Sequence, residues 1–437
     1  MATAAAARLR RALRAGVMLI ALATAGACEL DLDNPNAPTE QEVLSSIDGV
    51  IALAVGMQDQ YAASVEDYLV PNSLLTDEWG TRTRSLISYQ VLVTGPPSSI
   101  DPGFGVVEAP FSSSYRVIRS ANTLLSGVGN VGAGAGLQAG ITSLAHLFKG
   151  MAYGQLYLNY EEAPIDVSVE APLPEPRSAV LATAISLLEE ARSDIASVPD
   201  VDLAGFRSRV LGDGIDLRNT IDALLARYYL FDGDYANAIA AADRVDPSVL
   251  SSLAYPTPDR NPIENLAFQL QYVFALESFV DEAEPGDDRP AFWVQVDEDP
   301  IVGNPDSLLL PLNEYSSGDA PYPLYLPDEM KLIKAEALTR QGDFAEAAAL
   351  VNAVRTDAAP SALEPAAGLA ALAAGDLDTE DELLDQIAYE RRYELYEQGL
   401  RWEDTRRLGT DRTVEPVIEF LPYPQQECDA NPANPCG

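Results

Sequence analysis

The sequence predicts a mainly α protein: a scaffold of tetratricopeptide-like helical hairpins carrying long irregular loop insertions. Three observations predict it. Apolar residues recur at helical spacing through most of the chain. Two segments share one helix–turn–helix pattern at an offset of 109 residues. Strand-like alternation is rare.

The first element is a targeting pattern. Arg8, Arg10, Arg11 and Arg14 form a positive region. Residues 15–25 follow as an apolar run of eleven, too short to span a bilayer as a stable helix. Small residues Ala25, Gly26 and Ala27 precede Cys28. This resembles the lipobox of bacterial lipoproteins, in which the cysteine is lipidated and becomes the first residue, with Ala25 where that pattern prefers Leu. Ordinary signal-peptidase cleavage after Ala25-Gly26-Ala27 is the alternative. Residues 1–27 are therefore expected to form a signal peptide and 28–40 an acidic, Pro-containing tether, with the body at 41–437. Asp31, Asp33 and Glu42 fall at the first, third and twelfth places of an EF-hand loop. Pro35 at the fifth place, and Asn36 where Gly is required, argue against calcium there.

Helices come next. "FSSSYRVIRSANTLL" sets Phe111, Tyr115, Ile118 and Leu125 near one face, with serines placed to cap. "GVGNVG" at 127–132 formally matches a dinucleotide fingerprint, but a helix precedes it where a strand is required, so it reads as an inter-helix loop. The single histidine, His146, lies on the next helix, with Lys149, Gly150 and Tyr153 as neighbours and no serine or cysteine nucleophile. It reads as a helix-face residue without a catalytic task. "SAVLATAISLLEEARSDIASV" lines up Val180, Ala184, Leu187, Leu188 and Ile195 in one stripe behind a candidate cap, Ser178. The best strand signal is "SLISYQVLV".

The internal repeat pairs "ARYYLFDGDYANAIAAADRV" with "AEALTRQGDFAEAAALVNAV". Gly233-Asp234-Tyr235 aligns with Gly342-Asp343-Phe344, and Ala226 and Ala238 with Ala335 and Ala347. Glycine permits a left-handed turn, alanines let antiparallel helices approach closely, and the aromatic plugs the turn. Between the repeats lies 251–325, rich in Pro, Asp and aromatics, and a second irregular stretch covers 79–105. Long ordered loops of this kind are the expected place for ligand contacts.

The segment 387–409, "IAYERRYELYEQGLRWEDTRRLG", concentrates five arginines among glutamates and tyrosines. On a continuous helix Glu397 would meet Arg401, Arg391 would meet Glu394, and Glu403 would reach Arg406 or Arg407. Arginine forks suit carboxylates and stack on rings. The segment is thus expected to neutralise its own charge and act as an internal clamp.

Composition excludes several functions. The chain carries 28 Lys+Arg against 67 Asp+Glu. Without residues 1–27 there remain 24 basic side chains, a formal charge of −43. Such a surface repels phosphate backbones and anionic lipid, so no nucleic-acid partner is expected. One histidine rules out paired-imidazole zinc chemistry. No metal or cofactor is expected. Cys28 apart, Cys428 and Cys436 remain, close together in a Pro-rich tail, and read as a structural disulfide in an oxidising compartment.

"YERRYELYEQGLRWEDTRRLG" and the closing "FLPYPQQECDANP", through Pro422, Pro424, Glu427, Asn431 and Pro432, resemble the C-terminal signature of the SusD/RagB family. Further matches are "LLTDEWG" at 74–80, "SYRVIRSANTLL", "HLFKGMAYGQLYLNYEEAPI" and "YLPDEMKLIKAEAL". The chain is short for that family. The resemblance implies a surface-exposed outer-membrane lipoprotein that captures oligosaccharides or peptides for a TonB-dependent, SusC-like transporter, without enzyme activity. Sugars are held by aromatic faces with carboxylates and amides beside them. On that logic the expected ligand-binding residues are Trp79, Tyr89, Trp293 and Tyr315 in the two irregular stretches. The alternatives are a helical scaffold that binds only protein partners and a glycoside hydrolase using two of the many carboxylates.

Overall fold

The computed structural model describes residues 40–168, 172–212, 214–431 and 434. The expected signal peptide, Cys28, most of the expected tether with Asp31 and Asp33, and Cys436 lie outside them. The chain divides into two units, Met1–Val43 and Leu44–Gly437. The described part of the first is the short helix Glu40–Val43. Everything below concerns the second.

The helices run in chain order: α1 Ile47–Ala63, α2 Val65–Leu75, α3 Ile87–Thr94, α4 Gly105–Gly127, α5 Ala135–Asn159, α6 Arg177–Ile195, α7 Leu217–Asp232 and α8 Tyr235–Ala242. After the long insertion follow α9 Pro327–Gln341, α10 Phe344–Arg355, α11 Glu380–Glu394 and α12 Arg401–Leu408. From α4 to α11 each helix packs on its predecessor, except that α6 meets α7 across a short irregular segment. Side chains start several of them. Ser46 accepts from the Gly49 amide at 3.0 Å, and Asp216 from Asn219 at 2.9 Å. Thr379 and Glu382 close a reciprocal capping box on α11.

The two repeats fold alike. Gly233 and Gly342 end α7 and α9 in the left-handed conformation, at φ 78° and 87°. In both, the glycine amide bonds three residues back and the following aspartate amide bonds five back. This is the Schellman arrangement that satisfies the last carbonyls of a helix. The second helix then returns. The hairpins α7–α8 and α9–α10 pack together through α8 and α9, although 251–325 separates them in sequence. Close approach elsewhere also depends on glycine: a Cβ on Gly154 of α5 would fall 1.8 Å from the Tyr228 hydroxyl oxygen of α7.

Three local expectations change. "SLISYQVLV" is not a strand but the helix α3. Its β-branched residues suggested a ladder, yet the helix satisfies these amides internally. The serines after Phe111 do not cap, because α4 begins at Gly105; Ser113 instead bonds Asp67 at 2.5 Å and Ser114 bonds the Pro110 carbonyl. Ser178 lies inside α6, whose N-cap is Pro176. The segment 127–132 is an inter-helix turn following a helix, as the missing strand required. His146 bridges α5 to α6, with Nδ1 2.7 Å from Asp194 and Nε2 3.3 Å from Glu190.

Strands are short: β1 Trp79–Thr81, β2 Ser251–Leu253, β3 Val273–Leu276, β4 Ile301–Val302, β5 Leu308–Leu310 and β6 Tyr322–Tyr325. β2 pairs with β6, so the two ends of the insertion are fastened to each other. No helix among the described residues is long and apolar enough to cross a membrane.

Candidate functional site

The two irregular stretches meet in one small antiparallel sheet, ordered β1-β3-β5-β4. β1 comes from the first stretch and the other three strands from the insertion. Trp79 pairs with Ala275 and Thr81 with Val273. The Asn304 amide donates to the Thr81 carbonyl at 2.8 Å, folding the β4–β5 turn onto β1. The Asn304 side chain donates to Gln90 of α3 at 3.1 Å, and the Ser85 hydroxyl to the Tyr272 carbonyl at 2.7 Å. The candidate surface is therefore one knitted unit resting on the helices.

Its aromatic content is mostly underneath. Trp79 is fully buried, and its indole N–H donates to the Glu397 carboxyl at 3.1 Å. Trp293 is fully buried too, donating to the Tyr393 carbonyl at 2.9 Å, with Tyr396 and Phe292 beside its ring. Tyr315 is buried against Tyr322. A ring with no free face cannot stack on a sugar, so these three expected ligand contacts are corrected to core residues. Each rivets the irregular chain to the signature segment or its surroundings. Tyr89 differs. It is half-buried, edge-on to Tyr272 at 6.4 Å, and stands at the rim of the sheet.

Glu78 lies beside Trp79, almost fully buried, accepting from the Ser73 hydroxyl at 3.0 Å. Burial raises its pKa to about 7, against the smaller opposing pulls of Ser73 and Arg401. A folded-state pKa above the unfolded value contributes stability that is complete below about pH 4.5 and is lost as pH rises through about 7. The shift corresponds to about 3 kcal/mol. Relative to Glu78→Gln, the wild-type protein should therefore lose about that much stability between pH 4.5 and 8. Parallel denaturation curves of the two proteins across pH check this, and a constant difference between them would refute it.

The polar residues on the open side were not singled out from the sequence. Arg82 and Arg84 both donate to the Gln271 side-chain oxygen, at 3.1 and 2.8 Å. The Arg82 guanidinium lies over the Phe274 ring at 4.4 Å. Both arginines are thus held by a neutral amide, and burial together with the Arg84 charge lowers the Arg82 pKa. Gln271 holds this arrangement from a left-handed backbone, φ 52°, a conformation uncommon outside glycine and found preferentially at functional sites. Leu86, Ile87, Leu270, Val302 and Leu308 stand exposed on these stretches, Ile87 at 72 %. Val302 and Leu308 are register partners. The sequence did hold a signal: "TRTR" at 81–84 puts two arginines in a loop of a strongly acidic chain.

The arginine-rich segment lies inside, as the clamp reading required, but with different partners. α11 ends at Glu394, and the turn before α12 includes Glu397 and Gly399 with φ of 61° and 65°. Helical spacing therefore fails across the break. Arg391 pairs with Asp404 at 2.9 Å, both buried, and not with Glu394. Arg407 reaches Asp404 at 2.6 Å and also contacts Glu336. Glu397 takes Trp79 instead of Arg401, whose guanidinium donates to the Ala388 carbonyl. Arg406 does pair with Glu403, at 2.9 Å. The fully buried Arg289 from the insertion joins Asp287 at 2.7 Å and Glu390 at 2.6 Å.

A second concavity of about 520 Å³ runs along 417–423, against Tyr160, Glu161 and Glu162. Its wall is held by Arg406, which stacks on Phe420 at 4.4 Å and donates to the Glu419 carbonyl. Near the C-terminus, Cys428 is disulfide-bonded; its expected partner Cys436 lies outside the described residues.

The SusD family model matches residues 320–417 of this chain. A comparison with curated proteins finds no match. Solved structures share the fold over nearly the whole chain. B. fragilis NanU superposes with a TM-score of 0.71 at 13% identity, over 92% of this chain and 98% of that one. A SusD superfamily protein from Bacteroides thetaiotaomicron gives 0.66 at 16%, over 89% and 99%. A SusD-like carbohydrate binding protein from Bacteroides vulgatus gives 0.65 at 17%, over 83% of each chain.

Proposed function

We propose that this protein captures an oligosaccharide or oligopeptide at the cell surface, on the face built from β1, α3 and the insertion. It would act as a lid and binding partner for a TonB-dependent, SusC-like outer-membrane transporter, held to the membrane by lipid on Cys28. The observation that carries the ligand site is the Arg82–Arg84 pair. In a chain of this net charge, two neighbouring arginines held by a neutral amide at the surface are free to take an outside acceptor, and their forks match hydroxyl pairs, carboxylates and peptide carbonyls. Tyr89 supplies an aromatic edge beside them, and the exposed aliphatics suit the apolar face of a sugar or a peptide side chain. Binding without turnover is expected, so a bound glycan keeps its length on incubation.

The test is co-purification from detergent-solubilised outer membrane, with mass spectrometry of both the partner and any carried ligand. Glycans and peptides so recovered are then titrated against purified protein. The double variant Arg82→Ala/Arg84→Ala should weaken binding at least tenfold, roughly 1.4 kcal/mol or more, with unchanged thermal stability. Undiminished affinity would remove the site. A second reading has its own observation: the groove along 417–423 combines Phe420 and Tyr423 with Glu161 and Glu162 in a volume suited to a small ligand. Loss of binding in Phe420→Ala, with none in the arginine variant, would move the site there.

A further inference from the structure

We propose that Asp328, Glu364 and Glu394 form an oxygen-ligand site for a hard divalent cation, calcium or magnesium, inside the scaffold. One carboxylate oxygen of each lies within 4.8 Å of the others. They come from three elements: the first turn of α9, the loop after α10, and the last turn of α11. Asp328 and Glu394 are almost fully buried.

Each carboxylate has one oxygen already fixed. Lys331 contacts Asp328 Oδ1, the Asp328 amide donates to Glu364 Oε1 at 2.6 Å, and Arg289 stands 3.5 Å from Glu394 Oε2. These contacts are the outer partners that orient metal ligands. Glu394 Oε1 is buried without any hydrogen-bond partner. A buried carboxylate oxygen left unpaired is costly, and a cation held among the three would satisfy it.

Charge supports the same assignment. Six carboxylates gather here: Asp328, Glu364 and Glu394, with Asp287, Glu390 and Glu284 along the same network. Three cations, Arg289, Arg355 and Lys331, face them, and Asp357 adds a further negative charge nearby. A divalent ion would remove half of that excess. All-oxygen carboxylate donors select hard cations over zinc or copper. The three residues stand 36 and 30 positions apart and share no motif, so only the fold brings them together.

The experiment uses the full mature chain, stripped with EDTA and titrated by calorimetry with calcium and separately with magnesium. One equivalent of one of them should bind, and the melting temperature should rise by a few degrees at saturation. Glu394→Gln should abolish the calorimetric signal and the metal-induced rise. In EDTA it should melt no lower than wild type, because the amide fills the same space and can donate to the neighbouring carboxylates. Glu364→Gln, at the half-buried edge, should weaken binding at least tenfold while leaving the fold intact. No binding of either ion, or identical titrations for wild type and Glu364→Gln, would overturn the proposal. A Glu394→Gln variant that retains full metal binding would do so too.

Discussion

Asp404→Ala should destabilise the protein by about 3–5 kcal/mol, as removal of one partner from a buried ion pair does. Asp404 is almost fully buried and serves two arginines, Arg391 at 2.9 Å and Arg407 at 2.6 Å. Without it Arg391 has no carboxylate partner, while its Nη1 and Nη2 already lack hydrogen bonds. Arg407 would retain only Glu336. The loss should be far larger than that of an exposed pair such as Arg209–Asp48, worth about 1 kcal/mol or less. Denaturant unfolding of the two variants, Asp404→Ala and Asp48→Ala, measures the contrast directly. Equal effects would mean that the clamp is not where the scaffold is closed.

Trp79→Ala should cost about 3–5 kcal/mol, the range for deleting a large buried aromatic. It would also leave the buried Glu397 carboxyl without its indole donor, at a site where Oε2 is already unpaired. The structure puts this loss in folding and not in recognition. All three tryptophans, Trp79, Trp293 and Trp402, are fully buried. Iodide should therefore barely quench native tryptophan fluorescence, and glycans that bind the protein should leave the emission maximum in place. Strong quenching by iodide, relieved by a sugar, would restore the tryptophans as ligand contacts.

These two residues show where the sequence was readable. The hairpins were legible because Gly-Asp-aromatic turns are local: Gly233 and Gly342 fix their own geometry within six residues. The clamp was legible as a type, since arginines interleaved with carboxylates in an acidic chain favour internal pairing. Its pairs were not. Helical spacing assumes one helix, and the turn at Glu397 and Gly399 redirects Arg391 to Asp404. The aromatic candidates failed for a related reason. Trp79 and Glu397 stand 318 positions apart, so nothing local revealed that the ring was already occupied. Tyr89 and the Arg82–Arg84 pair lie within eight residues of one another, yet only the sheet joins them to Gln271 and Phe274. The carboxylates of Asp328, Glu364 and Glu394 could be joined only by the tertiary fold.

The pairing of β2 with β6 has an evolutionary consequence. It works as a hasp: the chain leaves the helical array and re-enters it at one spot, so length added to the loops between the buried anchors Arg289, Trp293 and Tyr315 does not move the ends apart. Lengthening such a segment twofold costs only about 0.6 kcal/mol of closure entropy. The exposed loops between those anchors can thus vary in length and sequence while the buried contacts keep the scaffold closed.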